Sequence, residues 1–170
     1  MANIAFVLGE DFEDSEFRKP YDGLRAQGHT ITVVGAKAGV SVKGKKGKET
    51  VTIEKAASDV DAASFDALVI PGGYSPDHLR LDKAVVELTQ TMLRDGKVVA
   101  AVCHGPQLLI EAEGVKGRVV TSWPSVRKDL ENAGATWVDE EVHVDGKLIT
   151  SRKPDDLPAF TEAIAKQLAA

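Results

Sequence analysis

Cys103 is the only cysteine of the 170-residue chain, and it stands where the apolar run KVVAAV (97–102) stops. His104 and Gly105 follow it directly, and Ala101 lies two residues before it. This is the small-x-nucleophile-x-small spacing of a nucleophile elbow, a strand-to-helix turn so sharp that small flanking residues are needed where backbones meet. Such a turn exposes its central side chain at the rim of a sheet. A helix running from His104 to Glu113 would aim its first N–H groups at the sulfur. The thiol is then expected to titrate below a free cysteine. The competing reading is a buried cysteine that acts as a small hydrophobe.

His104 is the nearest candidate base, and His78 in PGGYSPDHLR is its rival at the same rim. His29 precedes a strand and is expected to face solvent, while His143 lies in an apparent β-hairpin and reads as structural. Four scattered histidines and one cysteine show no zinc spacing. Neither a P-loop signature nor a GxGxxG fingerprint is present. No metal and no cofactor is expected. At a strand end facing an elbow, the N–H groups of the Gly72–Gly73 pair can help hold an oxyanion. The basic stretch KGKKGK (43–48) is short and glycine-spaced, and reads as a solvated loop rather than an anion site.

Short apolar runs alternating with helical segments supply the scaffold. NIAFVL, TITVVG, ALVIP, KVVAAV and RVVTSW read as strands, and 13–27, 82–94, 104–113, 125–132 and 157–168 as helices. GVSVKGKKGKETVTIE looks like a glycine-broken β-excursion, and EVHVDGKLITS like a hairpin turning at Asp145–Gly146. Strands apolar on both faces imply a mostly parallel sheet covered by helices on both sides, an α/β sandwich of three layers. Ligands in such folds bind beyond the carboxyl ends of the strands. Glu13, Glu16, the Gly72–Gly73 loop and Cys103 all lie just after such ends.

Residues 1–170 read as one domain, with 43% hydrophobic and 28% charged residues. A net charge of -5 weighs against a general nucleic-acid binder. A lone cysteine fits a reducing compartment, and no run is long enough to span a bilayer. A cytoplasmic protein is the expectation.

Five stretches carry a resemblance that covers almost the whole chain: FEDSEFRKP, FDALVIPGGYSPDHLR, VAAVCHGPQLL, GRVVTSWPSVRKDLENAGATWVDEEV and VDGKLITSR. The chain resembles the PfpI/ThiJ superfamily of PfpI-type intracellular proteases, general stress proteins and protein deglycases. Its members have a flavodoxin-like sandwich related to class I glutamine amidotransferase domains. The resemblance implies Cys103 as nucleophile and His104 as its imidazole partner. It implies Glu16 as a carboxyl group that hydrogen-bonds the cysteine, and Gly73 with the His104 N–H as the oxyanion hole. Asp77 matches an acidic residue that reaches the histidine of a neighbouring subunit in PfpI-type oligomers. There the protease pattern carries the longer glutamate. With these roles assigned, His78 loses its weight as a base. Glu16 beside a thiolate would place two like charges in one pocket, so its pKa is expected to rise.

Three functions follow from the resemblance. The first is a deglycase or glyoxalase acting on methylglyoxal, glyoxal and their early adducts on proteins. The second is an intracellular cysteine peptidase. The third is a redox-responsive stress protein with an oxidisable thiol and no significant turnover. A glutamine amidotransferase is disfavoured, because its later His-x-Glu pair is absent and HVD at His143 only loosely echoes it. Expected partners are a second copy of the chain and small carbonyl compounds or glycated proteins. No membrane partner and no stable nucleic-acid partner is expected.

Overall fold

In the computed structural model, which describes residues 1–170, the elements follow one another as β1 (Asn3–Val7), α1 (Asp14–Ala26), β2 (Thr30–Gly35), β3 (Ser41–Lys43), β4 (Thr50–Thr52), β5 (Lys55–Ala56), β6 (Ala67–Ile70), α2 (Ser75–Leu79), α3 (Lys83–Arg94), β7 (Val98–Val102), α4 (Pro106–Glu111), β8 (Val119–Val120), α5 (Arg127–Asn132), β9 (Thr136–Trp137), β10 (Val142–Asp145), β11 (Leu148–Ser151) and α6 (Leu157–Ala169). Seven strands form one sheet in the order β10-β11-β7-β6-β1-β2-β5. Every pairing in it is parallel except β10 with β11.

The central strands are buried on both faces because apolar side chains occupy both alternating sets. Ala5, Val7, Leu68, Ile70, Val99 and Ala101 face one core, which Leu88 and Met92 of α3 and Leu108 of α4 complete. Ile4, Phe6, Ala67, Val69, Val98 and Val102 face the other, closed by Phe17 and Leu24 of α1 and Phe160 and Ile164 of α6. The expected three-layer, flavodoxin-like α/β architecture is the observed one. No helix is long and apolar enough to cross a membrane.

The structure departs from the sequence reading in three places. RVVTSW contributes only β8, and β8 pairs with β9 in a separate two-stranded ribbon. The place beside β7 goes to β11, whose four residues are all buried. Residues 75–79, to which the sequence pattern assigns no element, form α2, which Pro76 favours by fixing a helical φ in the first turn, where its missing N–H costs nothing. His29 is half-buried rather than solvent-facing, and its Nδ1 accepts the Ala2 N–H at 3.1 Å.

Candidate active site

The carboxyl ends of β1, β6 and β7 converge at one rim, and each delivers part of the site. Cys103 leaves β7 with φ +63°, a left-handed conformation that costs a non-glycine residue about 1–2 kcal/mol. The surroundings hold it there. Its N–H donates to Ser151 O at 3.0 Å, and its carbonyl accepts the Trp123 N–H at 3.0 Å. A methyl group on Gly105 would stand 2.5 Å from Ile70 O, so the turn tolerates only glycine at that step. The elbow spacing thus has its expected cause, backbone against backbone.

Helix α4 begins at Pro106, two residues later than expected. The Gly105 N–H turns back to Val102 O at 2.8 Å, and those of Gln107 and Leu108 go to His104 O and Gly105 O. Pro106 has no N–H to give. Only the His104 N–H is left to the sulfur. This corrects the expected thiol titration. Burial and the neighbouring Glu16 carboxyl push the Cys103 thiol above a free cysteine, and the His104 N–H pulls the other way without overcoming them.

Glu16 reaches the site from the first turn of α1 and is fully buried. Its Oε1 accepts the Gly72 N–H at 2.8 Å. Its Oε2 finds no other oxygen or nitrogen and is left to the Cys103 thiol. Burial, which outweighs the Gly72 bond and is reinforced by the charge of Glu13, pushes the Glu16 carboxyl up to about 8. Two buried groups this close cannot both ionise near neutrality. A protonated Glu16 then donates to the sulfur.

The Pro71–Gly73 loop is stitched to the segment after β1. The Glu13 N–H donates to Gly72 O at 3.1 Å and the Tyr74 N–H to Asp11 O at 2.8 Å. Gly73 sits at φ +76°, where a Cβ would collide with Glu13 N. These bonds leave the Gly73 N–H, like that of His104, without a backbone acceptor.

His104 is half-buried, with Nδ1 3.5 Å from Cys103 Sγ. Burial, helped by Lys45, holds its pKa below the usual imidazole value, so the ring is neutral at pH 7 and able to accept a proton. His78 is exposed on α2 and does not reach the thiol. His143 lies on β10 and bonds Glu140 at 2.8 Å. Asp77 is exposed on α2, and no bond joins it to His104 within the chain.

Asp14, which sequence reasoning passed over, organises the mouth of the site together with Glu13. Asp14, 4% exposed, accepts the N–H groups of Lys46, Lys48 and Glu49 at 2.9 Å each. Glu13, 3% exposed, accepts from Ser15 and pairs with Lys46 at 3.0 Å. Together they pin the β3–β4 turn over the start of α1, so KGKKGK is the solvent-exposed turn the sequence suggests, with its backbone anchored. Its Lys45 is held near the site. The signal was the acidic pair Glu13–Asp14 at the start of α1, which matches the basic turn in charge across some thirty residues. No group of three or more His, Cys, Asp or Glu side chains is arranged to hold a metal ion.

A family pattern described as DJ-1/PfpI matches residues 2–167. The chain is 48% identical over 168 residues to protein/nucleic acid deglycase 2 of Escherichia coli, covering 98% of each chain. It is 50% identical over 158 residues to general stress protein 18 of Bacillus subtilis, covering 92% of each. Among solved structures it superposes with a TM-score of 0.98, at 41% identity, on a two-domain protein of Anabaena variabilis containing DJ-1/ThiJ/PfpI-like and ferritin-like domains. That match covers 99% of this chain and 48% of the other.

Proposed function

The chain belongs to the DJ-1/PfpI family, and from that premise we propose that it is a cysteine-dependent hydrolase of the deglycase or glyoxalase type. Its substrates are methylglyoxal, glyoxal and their early adducts on proteins. The observation that carries this reading is the convergence of Cys103, neutral His104 and protonated Glu16 beside the Gly73 and His104 N–H groups, neither of which has a backbone acceptor. Sulfur adds to the aldehyde carbon, and the thiol proton passes to His104 Nδ1 as the C–S bond forms. The two N–H groups receive the charge that develops on oxygen, which ends as the hydroxyl of a thiohemiacetal. His104 hands the thiol proton on to that oxygen, then takes the proton from the former aldehyde carbon and returns it to the neighbouring carbon, while the hydroxyl proton moves to the neighbouring oxygen, giving a lactoyl thioester. Water releases lactate and restores the thiol. The balance is methylglyoxal plus water to lactate, with no outside oxidant or reductant.

The expected result is lactate formation from methylglyoxal by the purified chain, with no cleavage of unfolded casein. Casein cleavage without lactate would favour the peptidase reading, and neither activity the redox-responsive one.

Asp77 has a place in this proposal only across a subunit boundary. Its carboxylate is exposed and His104 has no carboxylate partner of its own chain, which fits a two-fold dimer in which each chain lends Asp77 to the other. Mixing Cys103→Ser chains with Asp77→Ala chains, each inactive alone, should then restore activity. Random re-assortment makes about half the dimers mixed with one complete site each, so about a quarter of wild-type activity returns. Activity that stays at the mutant baseline, with exchange verified by native mass spectrometry, rejects the shared site. A fully active Asp77→Ala chain removes Asp77 from catalysis altogether.

A further inference from the structure

The last three residues of RVVTSW belong to no strand and have no role in the steps above, yet the chain fixes them firmly beside the elbow. Thr121 and Ser122 are fully buried. The Thr121 N–H donates to Thr150 Oγ1 at 2.9 Å. Ser122 Oγ donates to Trp123 O at 2.8 Å and accepts the Trp137 indole N–H at 3.0 Å. Trp123 O takes a second bond, from the Val126 N–H at 3.0 Å. The segment therefore carries the Trp123 N–H to a defined place, 3.0 Å from Cys103 O.

Cys103 O and the His104 N–H belong to one peptide unit. That unit is planar and trans, so its carbonyl and its N–H point in opposite directions and turn together. Whatever holds the carbonyl also aims the N–H. A hydrogen bond accepted at the carbonyl polarises the unit and makes its N–H the stronger donor. The Cys103 carbonyl is held by the Trp123 N–H, while the His104 N–H has no backbone acceptor and faces the site. We propose that Trp123, set in place by Ser122 and Trp137, is a positioning residue of the oxyanion hole. Through Cys103 O, its N–H aims and strengthens the His104 N–H that meets the carbonyl oxygen of the substrate. The inference rests on the reading of the His104 N–H as an oxyanion donor, but not on any particular turnover.

Two reagents test it without turnover. In acylation by p-nitrophenyl acetate, sulfur adds to the carbonyl carbon and charge builds on oxygen. p-Nitrophenolate then leaves as the thioester forms, and the thiol proton passes through His104 to water. Iodoacetamide alkylates the same sulfur, forming an S–C bond and releasing iodide, with no charge built on oxygen. The ionisation of the thiol enters both rates, so the ratio of acylation to alkylation reports the oxyanion hole. Replacing the Trp123 backbone amide by an ester removes its N–H and keeps its side chain, and the ratio should fall about tenfold. The same exchange at Val138, whose N–H donates to Val120 O at 2.9 Å, removes an equal bond from the nearby ribbon and should leave the ratio unchanged. At His104 the exchange removes the donor itself and should lower the ratio about a hundredfold. Ser122→Ala and Trp137→Phe, which undo the support from its two ends, should each lower it about threefold. An unchanged ratio in the Trp123 ester while the His104 ester loses it, or an equal fall in the Val138 ester, would overturn the proposal. Should the Trp123 ester fail to fold, an unchanged ratio in both Ser122→Ala and Trp137→Phe overturns it equally. An unchanged ratio in the His104 ester would overturn the oxyanion reading beneath it. Failure of the methylglyoxal assay with these ratios as expected would overturn the proposed turnover and leave the role of Trp123 standing.

Discussion

Replacing Cys103 with serine is expected to lower methylglyoxal turnover about a thousandfold or more while leaving the fold intact. A hydroxyl gives up its proton far less readily than a thiol, and the neutral His104 beside it is too weak a base to compensate. The same position allows a second measurement, because the nucleophile sits in a left-handed turn that glycine adopts freely. Cys103→Ala keeps the strain and loses the sulfur, whereas Cys103→Gly loses both. The glycine chain should be the more stable of the two inactive variants by about 1 kcal/mol. At this chain length that is a rise in Tm of roughly 2–4 °C. Melting curves of the two variants at one pH decide it. A glycine variant that melts well below the alanine variant would show that the elbow is not strained, and appreciable lactate formation by Cys103→Ser would remove Cys103 from the chemistry.

How much of this site could be read from the sequence depends on the distance over which each feature is encoded. The elbow was legible because its cause is local: Ala101 and Gly105 flank Cys103 within two residues, and the steric need they meet lies in the same turn. The central strands were legible because each carries apolar residues in both alternating sets, a pattern that only a doubly covered sheet uses. RVVTSW carries the same signal, but the place beside β7 is decided by competition, and β11 took it from farther along the chain. The titration of the thiol was misjudged for a similar reason. Helix geometry near Cys103 is local, whereas burial by α1 and the approach of Glu16 are not. The partners of Asp14 lie 32 to 35 residues away on the turn it holds, and no spacing rule relates them. The roles of Glu16 and Gly73 came from family resemblance, and their surroundings lie far along the chain: Glu16 Oε1 accepts the Gly72 N–H, and Gly73 sits at φ +76° with no room for a Cβ against Glu13 N.

The buried Glu16 carboxyl should leave a signature in both stability and reactivity. In the folded chain its pKa rises from 4.5 to about 8. Between those values the native state binds a proton that the unfolded chain has released. Stability therefore falls as pH rises across that window, and levels off above it. Each unit of displacement is worth about 1.4 kcal/mol, so the loss is on the order of a few kcal/mol, less whatever charge the pair shifts onto Cys103. Glu16→Gln is neutral at every pH and still offers an oxygen to the Gly72 N–H and an N–H to the sulfur. Its Tm should match the wild type near pH 5 and exceed it increasingly toward pH 8.5. Glu16→Ala leaves the Gly72 N–H without its acceptor and should be less stable than the wild type at pH 5 by about 1–3 kcal/mol. The thiol reports the same pair from the other side. Above pH 8 the wild-type carboxylate repels a thiolate, whereas a neutral amide in its place does not, so Glu16→Gln should be alkylated by iodoacetamide about tenfold faster at pH 9. At pH 6, where carboxyl and amide are both neutral donors, the two rates should agree. Loss of the donor in Glu16→Ala should cut methylglyoxal turnover by about a hundredfold at pH 7, with much of it kept in Glu16→Gln. Parallel Tm curves for wild type and Glu16→Gln from pH 5 to 8.5, together with equal alkylation at pH 9, would mean that Glu16 carries no displaced proton, and the neutral donor assigned to the mechanism would be lost with it.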